Sequence, residues 1–341
     1  MKFSVSGAPF QPPAATVGGV MRQVLYALIP AIFAHVYYFG FGILFQIALA
    51  VGFAVGFEAI MLRLRRRPLG LFLSDCSAIV TGVLFALCMP PLAPWWIAAI
   101  GMLMAIVVAK HLYGGLGYNL FNPAMVGVAA VIIAFPMELS QWLTPRQLTP
   151  DLPGLLETAR AIFSGALPAG LEWDTITAAT PLEQLRTGVL DNLVIDEIRS
   201  HPAFGDFGGL GWEWIANLYA LGGLYLIWKR VISWHVPVAV VVTTIAVTTP
   251  LWLFGPDTNP SPPQHIFSGA LVLAAFFIAT DPVSGCSTTR GKLLFGAGVA
   301  ILTLAIRRFG GYPDGVAFAI LLMNMAAPLI DRLTRPRTYG H

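Results

Sequence analysis

The stretch KHLYGGLGYNLFNPAMVGVAA (residues 110–130) has a counterpart later in the chain, RRFGGYPDGVAFA (307–319). In each, a basic pair (Lys110-His111, Arg307-Arg308) leads through a Gly-Gly turn to a proline that opens an apolar helix. Upstream of each lies a helix of small residues that ends at a proline break, TGVLFALCMPP (81–91) and SGALVLAAFFIATDP (268–282). The chain therefore reads as two copies of one unit. Each copy carries an odd number of apolar segments, so the second must enter a membrane upside down relative to the first. That inverted-repeat plan places broken helices and binding sites near the bilayer midplane.

Composition agrees. Of 341 residues, 57% are hydrophobic and 11% charged, against about 25% charged in ordinary soluble domains. Crossing the hydrocarbon takes about 20 mostly apolar residues per helix. Segments of that kind lie near 23–40, 41–62, 76–90, 94–110, 122–137, 212–228, 235–254, 265–280, 293–309 and 313–333. The expected fold is an all-α polytopic membrane protein of about ten transmembrane helices, in two inverted five-helix repeats. Its divisions are an N-terminal membrane repeat (1–137), a hydrophilic insertion (138–211) and a C-terminal membrane repeat (212–341). The N-terminal stretch, rich in Pro, Gly and Ala, has no compact apolar core before a cleavage site, so no removable signal peptide is expected.

Basic residues orient the chain. With the N-terminus in the cytoplasm, Lys2, Arg22, Arg63, Arg65, Arg66, Arg67, Lys110, Lys229, Arg230, Arg290, Lys292, Arg332, Arg335 and Arg337 all fall inside, as the positive-inside rule requires. Among short outer loops only Arg307 and Arg308 break the pattern, and they occupy the repeat position of Lys110 and His111. The long insertion, with Asp151, Glu157, Asp174, Glu183, Asp191, Asp196 and Glu197, then lies outside. Since topology accounts for the basic clusters, no nucleic-acid partner is expected; the membrane lipid is one. Cys76, Cys88 and Cys286 form no CxxC pair, so neither a zinc site nor a disulfide framework is indicated.

Within the insertion, Asp174-Thr-Ile-Thr-Ala-Ala-Thr-Pro-Leu182 is rich in small hydroxyl residues. Thr180 reads as a helix N-cap with Pro181 at the first helical position and Glu183 in the capping-box place three residues on. Pro181 biases Thr180 toward extended backbone, displaying its hydroxyl at a helix start, where partial positive charge suits a phosphate.

The same segment resembles a flavin-attachment motif: Asp, two spacers, Ser or Thr, one spacer, Ala, then Ser or Thr. The motif is that of the D subunits of Rnf-type ion-pumping electron-transfer complexes, and of the B subunits of the sodium-pumping NADH:quinone oxidoreductase. Asp174, Thr177, Ala179 and Thr180 occupy its positions. The resemblance implies FMN joined to Thr180 through a phosphoester by a Mg-dependent flavin transferase. Ala178, often Gly in the sodium-pump branch, favours the Rnf branch. PPLAPWW (90–96), KHLYGGLGYNLFNPAM (110–125), FFIATDPVS (276–284), RRFGGYPDGVAFAILLMN (307–324), PLID (328–331) and TRPRTYGH (334–341) extend the likeness over nearly the whole chain. The arm SGAPFQPP (6–13) departs from the family's short Ser-Pro stretch.

The resemblance further implies a second, noncovalent flavin (riboflavin) and partner subunits A, B, C, E and G. It places the chain in a bacterial inner membrane, with both termini cytoplasmic and the flavin loop periplasmic. The complex would couple electron transfer between ferredoxin and NAD to proton or sodium movement, the chain being incomplete as an enzyme alone. Two alternatives stand beside this reading: a B-type subunit of the sodium-pumping oxidoreductase, and a solute channel, because the repeat plan resembles the urea-transporter fold and fold does not fix function.

A charge near the bilayer centre costs about 2.5–3.5 kcal/mol on insertion scales, so each intramembrane polar residue needs a reason. Glu58 is expected near the cytoplasmic surface, paired with an arginine of the 63–67 cluster. Asp314 reads as a helix N-terminal acid. Asp281, at a Thr-Asp-Pro break, and Asn122, at the related break in the first half, are ion-path candidates, with Glu58 as a third. His35 and His265 read as packed or interfacial side chains.

Overall fold

A computed structural model describes residues 16–149, 152–167, 172–312 and 314–335. The arm 6–13, the cationic Lys2 and Arg337, Asp151, Pro313 and the end of TRPRTYGH lie outside the described residues. The described chain is helical apart from one two-stranded ribbon.

In the first half, α1 (Val17–Phe39) starts at the N-cap Thr16, whose hydroxyl accepts from the Gly19 amide. It is followed by α2 (Gly42–Leu64), short α3 (Leu69–Leu73), and α4 (Ser77–Ala86). Helix α5 (Trp95–Met102) runs on as a π-helical segment, Leu103–His111. Such widening re-aims side chains and is frequent at functional sites; here it turns Lys110 and His111 into the interior. Helix α6 (Pro123–Ala134) opens with Pro123 at its first position, behind the N-cap Asn122.

The insertion holds α7 (Pro136–Ser140), β1 (Trp142–Leu143), α8 (Leu155–Ser164), α9 (Trp173–Ile176), β2 (Thr177–Ala178), α10 (Pro181–Leu190) and α11 (Ile195–Arg199). The second half comprises α12 (Trp212–Trp228), α13 (His235–Phe254), α14 (Pro262–Phe267), α15 (Leu271–Leu273) with a π turn at Ala274–Ile278, α16 (Thr289–Phe309) and α17 (Val316–Thr334).

Helices α1, α2, α13, α16 and α17 are long and apolar enough to cross a membrane, and α4, α5 with its π extension, and α6 are shorter apolar helices. The chain is a multi-pass membrane protein. Helix α1 packs against α12, and α6 against α17. Gly222 and Gly223 allow that approach: a Cβ on the first would strike the Ala27 carbonyl of α1, and on the second the ring of Phe276. Small residues at such contacts let helix backbones close in where lipid supplies no hydrophobic drive.

One expected span, 265–280, is interrupted. Ser268 is extended and Gly269 adopts φ +69°, so α14 stops and α15 begins anew. A Cβ at Gly269 would meet the Asp314 carboxylate, so both the positive φ and the contact require glycine. The backbone groups freed by the break are taken up by side chains. Arg307 donates to the carbonyls of His265 (2.7 Å) and Ser268 (2.9 Å), and Asp314 accepts from the Ala270 amide (2.7 Å). Irregular backbone at membrane depth persists only when satisfied this way. Arg307, the exception to the charge pattern, is thus a buried structural cation, paired with Asp314 at 3.3 Å. Arg308, its neighbour, bonds the Asn259 amide oxygen.

The first half has a parallel. Lys110 donates to the hydroxyl of Ser77, the first residue of α4 (2.8 Å), while Asp75 accepts from the Ser77 amide (2.7 Å). Lys110 thus reaches the start of α4, and Arg307 the break that follows α14.

Candidate functional site

Thr180 sits where α10 begins. Its φ of −60° and ψ of 153° are extended, Pro181 takes the first helical position, and its hydroxyl oxygen accepts from the Glu183 amide at 3.3 Å. Gln184 donates its side-chain amide to the Ala179 carbonyl at 2.9 Å. Upstream, Thr177 donates its hydroxyl to the Trp173 carbonyl at 2.7 Å, closing the single turn of α9. Thr177 and Ala178 then pair antiparallel with Leu143 and Trp142. The backbone of Asp174 lies in α9; its side chain is outside the described residues. Motif positions 174–180 therefore form a turn, a ribbon strand and an N-cap in succession, and only the last presents a hydroxyl at a helix start. Leu185, Ile195 and Ile198 form a small core with Phe204 that holds α10 on α11.

Burial pushes the Glu183 carboxyl above the ordinary carboxylate range, with Arg186 pulling the other way. An acid whose pKa is raised on folding favours the folded form below its ordinary pKa, and loses that advantage as pH rises through the folded value. At neutral pH the charge therefore costs the loop stability, and Glu183→Gln is expected to slow amide hydrogen exchange over residues 181–190. The difference should fade below the ordinary carboxylate pKa; faster exchange in the variant at neutral pH would mean that the charge's attraction to the helix start wins instead.

Thr180 lies on the wall of a cavity of about 290 Å³ between the two halves. His35 of α1, Cys88 beyond α4, Trp212 and Tyr219 of α12, and Ser268 of the broken helix contribute to the lining. Trp142 of β1 packs edge-on against Trp212, centroids 4.9 Å apart, so the ribbon that carries Thr177 also builds this wall. Two fully buried polar atoms of residues around it, His35 Nδ1 and Ser268 Oγ, have no hydrogen-bond partner among the described residues. Unpaired buried polar atoms are costly; the cavity itself is largely apolar with a few polar residues, the usual make-up of a cofactor pocket. His35, expected as a packed or interfacial side chain, is packed in the interior.

A second cavity, of about 210 Å³, brings Asn122 and Asp281 together with Ser77 and Lys110. Asn122 caps α6 through its side-chain oxygen (Met125 N, 3.2 Å), and its backbone amide donates to Asn324 of α17 at 3.0 Å. Asp281 accepts from the Ser284 hydroxyl at 2.6 Å and the Val283 amide at 3.2 Å. Glu58 departs from expectation. Its carboxylate faces inward and binds Lys110 at 2.6 and 2.8 Å, with His111 Nε2 at 3.5 Å, in place of an arginine of the 63–67 cluster. Both Glu58 and Lys110 are buried. Asp314 does more than a helix-terminal acid would: it receives the Val316 amide of α17, the Ala270 amide and the Arg307 guanidinium at once.

A model of the NQR2, RnfD, RnfE family matches residues 4–340. The chain belongs to this family. It is 45% identical over 348 residues to the D subunit of the ion-translocating oxidoreductase complex of Aliivibrio salmonicida strain LFI1238, covering 100% of this chain and 99% of that protein. Identity to the protein of the same name from Escherichia coli O127:H6 is 44% over 349 residues, covering 100% and 99%. To that of Citrobacter koseri it is 43% over 349 residues, with complete coverage of both. The NQR2, RnfD, RnfE match spans both helical halves and the insertion, so the Thr180 loop belongs to the family's own region.

Proposed function

We propose that this chain is the D-type membrane subunit of an Rnf-type ion-translocating oxidoreductase complex, and that it carries FMN as a phosphoester on Thr180. The full-length likeness to proteins named as that subunit supports the first part. The second is carried by one observation: the only motif hydroxyl set as an N-cap at a helix start, Thr180, opens onto a largely apolar cavity. When bound, the flavin supplies redox chemistry that bridges two-electron and one-electron partners. The chain supplies the rest. Helix α10 offers its partial positive end to the phosphate, and the tether keeps the ring at high effective concentration.

In this reading the complex passes electrons between ferredoxin and NAD, with subunits A, B, C, E and G as partners and a flavin transferase for maturation. The membrane is the bacterial inner membrane. The chain crosses it ten times as two inverted halves, with cytoplasmic termini, Thr180 on the periplasmic side and a riboflavin as second, noncovalent flavin. Helix packing of α1 on α12 and α6 on α17 supports the inverted halves. The polar surfaces of Asp281 and Asn122 in the second cavity, and Glu58 beside them through Lys110, support an ion path there.

The test is in-gel flavin fluorescence of the SDS-denatured subunit, coexpressed with the flavin transferase. A fluorescent band is expected. A dark band would sink covalent attachment and return weight to a solute channel, to be examined by flux.

A further inference from the structure

We propose that Arg63, Arg65, Arg66 and Arg67, at the end of α2, form with the exposed apolar side chains beside them a binding site for an anionic phospholipid. The lipid phosphate sits among the guanidinium groups, and its acyl chains run along Leu64 and Leu71. Thr180 and its cofactor play no part in this site. Membrane orientation accounts for positive charge at this place, but the positive-inside rule counts Lys and Arg alike. It does not account for four arginines left without partners around one fixed turn.

Helix α2 has 23 residues. At about 1.5 Å per residue it outreaches a hydrocarbon core of about 30 Å, so its last turn meets the headgroup layer. There the chain turns tightly. The Arg66 amide donates to the Arg63 carbonyl (3.0 Å) and the Arg67 amide to the Leu62 carbonyl (2.9 Å), while Arg66 holds a φ of +54°, which non-glycine residues adopt rarely. All four arginines are exposed, and among the described residues none has a carboxylate partner. The nearest acids along the chain are already committed, Glu58 to Lys110 and Asp75 to the amide and hydroxyl of Ser77. Arg67 lies over the Phe72 ring of α3 at 5.5 Å from its centroid. Arg65 Nη1 comes within 3.8 Å of where a Cβ on Gly115 would stand, so the Gly-Gly turn flanks the cluster. Large apolar side chains stand at the same end of the molecule: Leu64 is 74% exposed, Leu71 of α3 is 69% exposed, and Tyr118 beyond the turn is exposed as well. Ile60 and Leu64, one turn apart and both exposed, share a face of α2, so the leucines continue the side of the helix that faces lipid. Unpaired cations beside exposed leucines match the two parts of a phospholipid, and anionic headgroups supply the complementary charge. An acidic protein surface would meet the charge alone. The planar guanidinium grips a phosphate through two parallel bonds, whereas an ammonium acts as a point charge.

The experiment is a native mass spectrometry titration of the purified full-length subunit in detergent with phosphatidylglycerol, beside phosphatidylcholine and inorganic phosphate. Phosphatidylglycerol is expected to bind about tenfold more tightly than phosphatidylcholine, and inorganic phosphate at the same concentration should not displace it. The variant with Arg63→Lys, Arg65→Lys, Arg66→Lys and Arg67→Lys keeps every charge and hence the chain's orientation, checked by single-cysteine labelling. It should bind phosphatidylglycerol about tenfold more weakly. Leu71→Ser, which leaves the charges untouched, should weaken binding as well, whereas Arg230→Lys should not. Equal affinity for the two lipids, or an all-lysine variant that overlays wild type, overturns the site, since charge alone would then suffice. Displacement by inorganic phosphate would make the free anion the ligand and overturn the lipid. Unchanged lipid binding in a variant that no longer joins its complex would assign the cluster to an acidic protein partner instead. If the all-lysine variant does not fold, Leu71→Ser and Arg65→Gln decide in the same way.

Discussion

Thr180→Asn is expected to yield a folded subunit whose band on a denaturing gel carries no flavin, with the signal falling to background. The substitution separates two jobs that one atom performs. Thr180 Oγ1 caps α10 by accepting from the Glu183 amide, and in our reading it is also the oxygen that bears the phosphoester. Removing the cap with Thr180→Ala costs about 1 kcal/mol, enough to blur a negative result with local unfolding of α10. Asparagine caps helices at least as well as threonine, yet has no hydroxyl to esterify. Equal hydrogen exchange over α10 in wild type and Thr180→Asn, together with a dark mutant band, would isolate the chemistry from the capping. Thr180→Ser keeps both functions and should retain fluorescence. A bright Thr180→Asn band would move the attachment elsewhere, with Thr177 the first alternative, although its hydroxyl is already committed to the Trp173 carbonyl.

The second large effect is expected at Lys110. Its ammonium makes three bonds in the interior, two to Glu58 and one to Ser77. Truncating one member of a buried ion pair strands the other, at a cost of about 3–5 kcal/mol. Lys110→Met should therefore lower the thermal midpoint in detergent sharply, since only His111 at 3.5 Å remains beside the Glu58 carboxylate. Glu58→Gln alone leaves the ammonium with Ser77 and a neutral amide, and should also destabilise. The double variant Lys110→Met with Glu58→Gln removes both charges and should recover most of the loss, because desolvating two ions offsets much of their attraction. A double-mutant cycle without coupling would show that the pair is open to water and of little structural weight. The same double variant, if stable, also tests the ion path: coupled ion movement that persists without both charges would remove Glu58 from it.

Much of this was legible in the residues. The spans 212–228 and 235–254 are helices with those same ends, and the Thr-Pro pair marked the start of α10 correctly. These features depend on neighbours within a turn or two: apolar side chains partition together, proline restricts the residue before it, and a short hydroxyl side chain competes for nearby amides. Glu58 shows where that logic ends. Its nearest cations along the chain are Arg63 to Arg67, yet it meets Lys110, 52 residues away, because it lies on the buried face of α2 and the π segment turns Lys110 toward it.

The break at Ser268 and Gly269 was hidden by an apolar run that reads as one helix. It exists because Arg307 and Asp314, distant in sequence, satisfy the backbone it frees. Likewise the joining of His35 to Tyr219 and of Asn122 to Asn324 leaves no local trace. The sequence by itself determined the membrane class, the placement of most helices and the hydroxyl at a helix start. Only tertiary structure decided which charges pair, where a helix opens and what the cavity is lined with, since a buried polar group takes whatever partner packing brings within reach.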